Sequence, residues 1–157
     1  PVLVDDGYRG FETTPHPNLA NWTDAMFSLH FYTFDAKNRG EHLTKLDEKS
    51  PRIKELQGYR NAPLYIGEFN LEPHGDGALM REYVGKLDRL GWSWAMWTFK
   101  TAARGGPMGG WGLYRSPDKT EGIDPFRDSR ETILAKIPTF RTDRMQPAPD
   151  YLSAFRR

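Results

Sequence analysis

Three short segments hold residues with the means to do covalent chemistry. Leu64 to Phe69 reads LYIGEF and places Glu68 near the end of an apolar, β-prone run. Met26 to Phe34 reads MFSLHFYTF, with His30 and Tyr32 two apart and therefore on one face of a strand. Trp92 to Phe99 reads WSWAMWTF and carries Trp97, with Lys100 just beyond it. A carboxylate at the end of a buried strand is costly unless partners satisfy it, because burial penalises its charged form. A tyrosine hydroxyl and an imidazole at hand can orient such a carboxylate as a nucleophile is oriented. An indole face offers a flat apolar platform of the kind a sugar ring stacks on.

Plainer readings stand beside these. Glu68 could be a structural carboxylate paired with a buried base, His30 and Tyr32 a satisfied core histidine and a packing aromatic, and Trp97 a core residue. The Tyr/His strand and the Trp strand beside it favour the nucleophile. Gly105 to Gly112 reads GGPMGGWG and matches neither a dinucleotide fingerprint nor a phosphate loop. It reads equally well as a solvated loop or as the rim of a binding cleft to which Trp111 contributes. His16, His42 and His74 are scattered and lack metal-ligand spacing, so each is expected in a surface loop and no metal is implied. Glu72, in Asn70-Leu71-Glu72-Pro73, reads as a loop residue. Trp92 and Trp94 read as packing.

Breaker residues divide the chain into alternating strand-like and helix-like pieces. Strands are expected at Val2 to Asp5, Met26 to Phe34, Leu64 to Phe69 and Trp92 to Phe99. Between them fall a short helical turn at Asn18 to Trp22, a helix over Glu41 to Tyr59, and the clearest helix, Asp76 to Leu90. The second of these carries Ser50-Pro51 as an N-cap with proline at the first helical position. The third has Leu79, Tyr83, Leu87 and Leu90 on one face, with Gly91 to end it. A last helix is expected over Pro125 to Ile137, with Ile133, Leu134 and Ile137 as its apolar stripe. Residues 138–157 form a Pro-broken basic tail, of which Tyr151 to Phe155 docks. Repeated β-α alternation implies a parallel sheet flanked by helices, either doubly wound or part of a (β/α)8 barrel. In both, function gathers at the C-terminal ends of strands. A whole barrel needs about 250 residues and eight units, roughly twice what is present.

Composition narrows the partners. The 157 residues carry 22 Lys+Arg against 21 Asp+Glu, so the charge makes no case for nucleic acid or an anionic membrane. Twenty-one aromatics, as five Trp, seven Tyr and nine Phe, argue for an ordered core. The absence of cysteine excludes disulfides and Cys-ligated metals. No stretch approaches the roughly 20 apolar residues that span a bilayer. The chain opens on Pro1-Val2-Leu3-Val4-Asp5 with no signal-peptide pattern, and is expected to be a processed or partial chain.

LHFY, PLYIGEFN and WSWAMWTFK, in that order and at this spacing, resemble strands six, seven and eight of the family 5 glycoside hydrolases, the cellulase-type enzymes. The resemblance implies the C-terminal half of a (β/α)8 barrel over residues 1–137, with Val2 to Asp5 as strand five. It implies that Glu68 is the catalytic nucleophile of a retaining hydrolase acting on β-glucan or cello-oligosaccharide, and that His30 and Tyr32 line the sugar subsite. Trp97, Trp111 and Lys100 would bind substrate, without any cofactor, in a secreted or periplasmic protein. The family's acid/base glutamate lies on strand four, which this chain lacks. Retaining hydrolysis needs two carboxyl groups about 5–5.5 Å apart. Completion by self-association or by a complementary N-terminal half is therefore expected. The rival expectation is a non-catalytic remnant that self-associates and binds glucan weakly.

Overall fold

The computed structural model describes residues 2–7, 10–102, 111–116 and 122–155. It is a mixed α/β structure that divides into two compact units, Pro1–Gly75 with Leu79–Met96 and Asp76–Ala78 with Trp97–Arg157.

The first unit holds a parallel four-stranded sheet in the order β1 (Val2–Asp5), β2 (Ala25–Phe31), β3 (Leu64–Phe69) and β4 (Ser93–Trp94). Spatial order equals chain order, without the reversal that defines a doubly wound sheet. Helix α1 (Gly40–Arg60) joins β2 to β3, and α2 (Gly77–Leu90) joins β3 to β4. Among its described residues the β1–β2 connection holds two short 3-10 turns, Phe11–Thr13 and Pro17–Ala20. Side chains of one sheet face, Phe27, Leu29, Phe31, Leu64, Ile66 and Phe69, are buried, as are Leu46 and Ile53 of α1 and Leu79, Met80, Tyr83, Val84 and Leu87 of α2. Burying each such side chain contributes about 1.5–3 kcal/mol, which sets the helix faces that the apolar spacing predicts.

Helix α1 is continuous through Pro51, so Ser50-Pro51 is not its start. Proline removes one backbone donor, but Pro51 is exposed and the buried residues Leu46, Ser50 and Ile53 run unbroken past it. The helix is entered instead through Asn38, whose Oδ1 accepts the Gly40 N–H at 2.9 Å, and Glu41, whose Oε2 accepts the Lys37 N–H at 2.9 Å. Its last residue, Arg60, is buried. The guanidinium donates to the carbonyls of Phe11 (3.0 Å) and Thr14 (2.7 Å) and lies over the Phe11 ring at 4.6 Å. This pins the β1–β2 connection to the core.

The fourth strand is shorter than its sequence suggests. Only Ser93–Trp94 pairs with β3, and the chain then leaves the sheet, so Trp97 and Phe99 are not part of it. In the second unit β5 (Lys100–Thr101), β6 (Tyr114–Arg115) and β7 (Gln146–Pro147) make a small mixed sheet. The tail is therefore structural: it supplies β7 and α4 (Pro149–Ala154), whose Tyr151 is buried. Helix α3 (Arg130–Lys136) starts at Ser129, whose hydroxyl accepts the Thr132 N–H, and not at Pro125. It buries no residue, and its expected stripe is partly exposed, with Leu134 and Ile137 at the surface. The glycines at 105–110 lie outside the described residues.

Candidate active site

The carboxylate site is built at the C-terminal ends of three neighbouring strands of the first unit. A one-residue register shift sets it up. Leu29 of β2 pairs with Ile66 of β3, but His30 pairs with Glu68 and Phe31 with Phe69, leaving Gly67 without a counterpart. Glycine suits the extra position because a Cβ there would run into the Ser28 hydroxyl and come to 3.4 Å from the Tyr65 ring. The shift keeps Ile66 and Phe69 both in the core although they are three residues apart, and it turns Glu68 towards His30.

Tyr32 donates its hydroxyl to Glu68 Oε2 at 2.8 Å. His30 Nδ1 stands 3.4 Å from the same oxygen, and His30 Nε2 stands 3.2 Å from Asp5 Oδ2 at the end of β1. The Tyr32 ring stacks on Phe34 with centroids 4.8 Å apart and planes 15° from parallel, which aims the hydroxyl. Burial, reinforced by the Glu68 carboxylate that accepts its proton, raises the Tyr32 hydroxyl well above the usual tyrosine range. It therefore stays a donor. Asp6, just past the end of β1, is a second perturbed group. Burial, helped by the Asp5 carboxylate, pushes it from 3.8 up to about 6, against the opposing pull of His30 and its backbone N–H.

Glu68, Tyr32 and His30 are thus brought together as their types suggested. Trp97, Lys100 and Trp111 belong to the second unit. There the Trp97 side chain is 47% exposed, whereas Trp111 is 5% exposed and presents no open ring face. The Lys100 ammonium donates to the Phe140 carbonyl at 2.8 Å. Glu72 lies in the turn after β3, its N–H donated to Asn70 Oδ1 at 3.0 Å. His42 is not in a surface loop: it is buried in α1, with Nε2 2.7 Å from the Pro73 carbonyl. His16 caps the second 3-10 turn and His74 is exposed.

Asp5 and Asp6 are the site residues that the sequence reading missed. Their signal was present: an apolar run ending in Asp-Asp-Gly at a parallel strand's C-terminal end, where function gathers. A cavity of about 540 Å³ opens beside them against α1, lined by Asp6, His30, Phe11, Phe31, Lys49 and Ile53 among others. Among the described residues no group of three or more acidic or histidine side chains has the arrangement of a metal site.

No protein-family model matches the chain, and no curated protein matches it significantly. Among solved structures, the clostridial cellulose synthase subunit Z from Clostridioides difficile aligns with 85% of this chain at 15% identity and a TM-score of 0.49. The chain spans 41% of that structure's length. So slight a likeness transfers neither fold nor activity.

Proposed function

We propose that this chain is the C-terminal half of a (β/α)8 glycoside hydrolase, with Glu68 as the nucleophile of a retaining reaction on β-glucan. The observation that carries the reading is the Glu68 carboxylate at the C-terminal end of β3, held through Oε2 by the Tyr32 hydroxyl at 2.8 Å and faced there by His30. The parallel strand order without reversal supports a barrel segment over a doubly wound sheet.

With Oε2 held, Oε1 attacks the anomeric carbon. The bond from that carbon to the leaving oxygen breaks, and a glycosyl ester of Glu68 forms. A second carboxylic acid gives its proton to the leaving oxygen, then takes one from the water that releases the sugar. By family resemblance that acid belongs to strand four, so a second copy of this chain or an N-terminal half completes the site. The edge strand β1, with Val2 and Leu3 exposed, is the surface where such completion begins. Trp97 offers a stacking surface for glucan in the second unit.

The test is hydrolysis of aryl β-glucosides and carboxymethyl-cellulose by the wild type and by Glu68→Gln. Turnover in the wild type that vanishes in the variant is expected. Turnover that survives the substitution overturns Glu68 as nucleophile.

A further inference from the structure

His30 is only partly held by packing. Its side chain is 39% exposed, so the core leaves the imidazole free to turn about its last bond unless polar neighbours fix it. Two carboxylates do so from opposite corners of the ring. Glu68 Oε2 faces Nδ1 at 3.4 Å, and Asp5 Oδ2 faces Nε2 at 3.2 Å. With Glu68 alone, a half-turn about that bond would bring Cδ2 to the carboxylate in place of Nδ1. With Asp5 in place, only one orientation satisfies both.

Asp5 is itself anchored. Its other oxygen, Oδ1, accepts the Gly7 N–H at 3.1 Å across a tight turn. Gly7 has φ +58°, a left-handed conformation that glycine adopts without strain. The Asp-Asp-Gly sequence at the end of β1 therefore presents one carboxylate oxygen to the backbone and the other to the ring. The Asp6 N–H donates to the Ser28 carbonyl at 2.9 Å, so the chain just past β1 is tied to β2 beside His30.

We infer that Asp5 is the positioning residue for His30: it holds the ring with Nδ1, not Cδ2, towards Glu68 and so fixes the environment of the proposed nucleophile. The inference deepens the proposed function, but the geometry it describes exists whether or not the chain turns over substrate. Asp5 touches no reacting atom, and its contribution acts through the imidazole.

Long-range proton–nitrogen NMR of the histidine rings tests this without an activity assay. In Asp5→Ala both ring nitrogens of His30 shift and its ring loses its single set of contacts to Glu68. Asp5→Asn, which keeps the shape and the Gly7 bond, moves chiefly Nε2, and Asp5→Glu returns the ring towards its wild-type signals. His42, fixed on the Pro73 carbonyl, is the internal control for folding. If Asp5→Ala disturbs His42 as well, Asp5→Asn decides. Unchanged His30 nitrogens in a folded Asp5 variant overturn the inference. Where the wild type hydrolyses glucoside, the Asp5→Ala loss is on the order of tenfold to a hundredfold in kcat with KM little changed, the signature of misorientation. An inactive wild type with the expected His30 shifts would remove a second copy of the chain as the source of the acid and leave the positioning role standing.

Discussion

Glu68 stands opposite His30, not opposite Phe31, because Gly67 is an uncounted residue between two correctly paired stretches of β2 and β3. In an unshifted ladder Gly67 would face His30, and either Glu68 would enter the core or Phe69 would leave it. One residue without a side chain lets a buried strand deliver a carboxylate to its open end.

Gly67→Ala tests that relationship. The added methyl meets the buried Ser28 hydroxyl, which must leave its position or β2 and β3 must part. Overpacking of this kind costs roughly 1–3 kcal/mol. Urea unfolding should show that loss, and Ser28→Gly in the same chain should recover part of it. An unaltered midpoint in Gly67→Ala would mean the close approach is absent in solution.

Tyr32→Phe keeps the ring on Phe34 and removes only the hydroxyl that Glu68 accepts. Stability should change by no more than about 1 kcal/mol, as for a part-exposed hydrogen bond. Glucoside turnover should fall on the order of tenfold at nearly constant KM. A KM effect alone would place Tyr32 in substrate binding instead.

Asp6 makes stability depend on pH in a definite direction. Its folded value of about 6 exceeds the ordinary 3.8, so the folded state holds a proton that the unfolded chain releases. That stabilisation is whole below about pH 4, is lost as pH rises through about 6, and leaves an ionised, half-buried carboxylate above it. Asp6→Asn should therefore stabilise the fold near neutrality by about 1 kcal/mol, after allowance for solvent screening, and have no effect near pH 4. Urea melts at the two pH values read the difference directly; equal effects at both would refute the assignment.

Arg60 lashes the β1–β2 connection to the sheet through two carbonyl bonds and the face of Phe11. Its Nε and Nη1 are buried without a partner, and desolvation lowers its proton affinity. Arg60→Ala should cost about 2–4 kcal/mol, since it takes a charged donor from the Thr14 carbonyl and from the Phe11 carbonyl, which keeps only its Thr14 donors, and opens a cavity. Arg60→Lys should recover little, because an ammonium cannot reach both carbonyls while covering the ring. Thermal unfolding ranks the three proteins.

Self-association is expected through the free edge of β1, where Val2 and Leu3 are exposed. Light scattering on size-exclusion eluate at low micromolar protein should give more than the monomer mass, and Leu3→Lys should lower it. A monomer at every concentration would remove the second copy as the source of the missing acid.

Much of this was readable from residue order. The apolar spacing of Leu79, Tyr83 and Leu87 dictates the face that α2 buries, and Leu64 to Phe69 emerges as β3 to the residue. The types Glu, Tyr and His at strand ends named three members of the site. Tertiary structure decided the rest. Aromatic β-formers predicted a strand through Phe99, but only Ser93–Trp94 finds a partner in β3, and local propensity cannot create one. Proline at 51 looked like a start signal, yet a continuous buried stripe outweighs one lost hydrogen bond. Asp5 acquires its place only when β1 lies beside β2, for no spacing along the chain relates residue 5 to residue 30. Sequence by itself determined which side chains could do chemistry, because that is set by functional groups. Which of them meet is a matter of register and pairing across strands, and that is settled only when the whole sheet assembles.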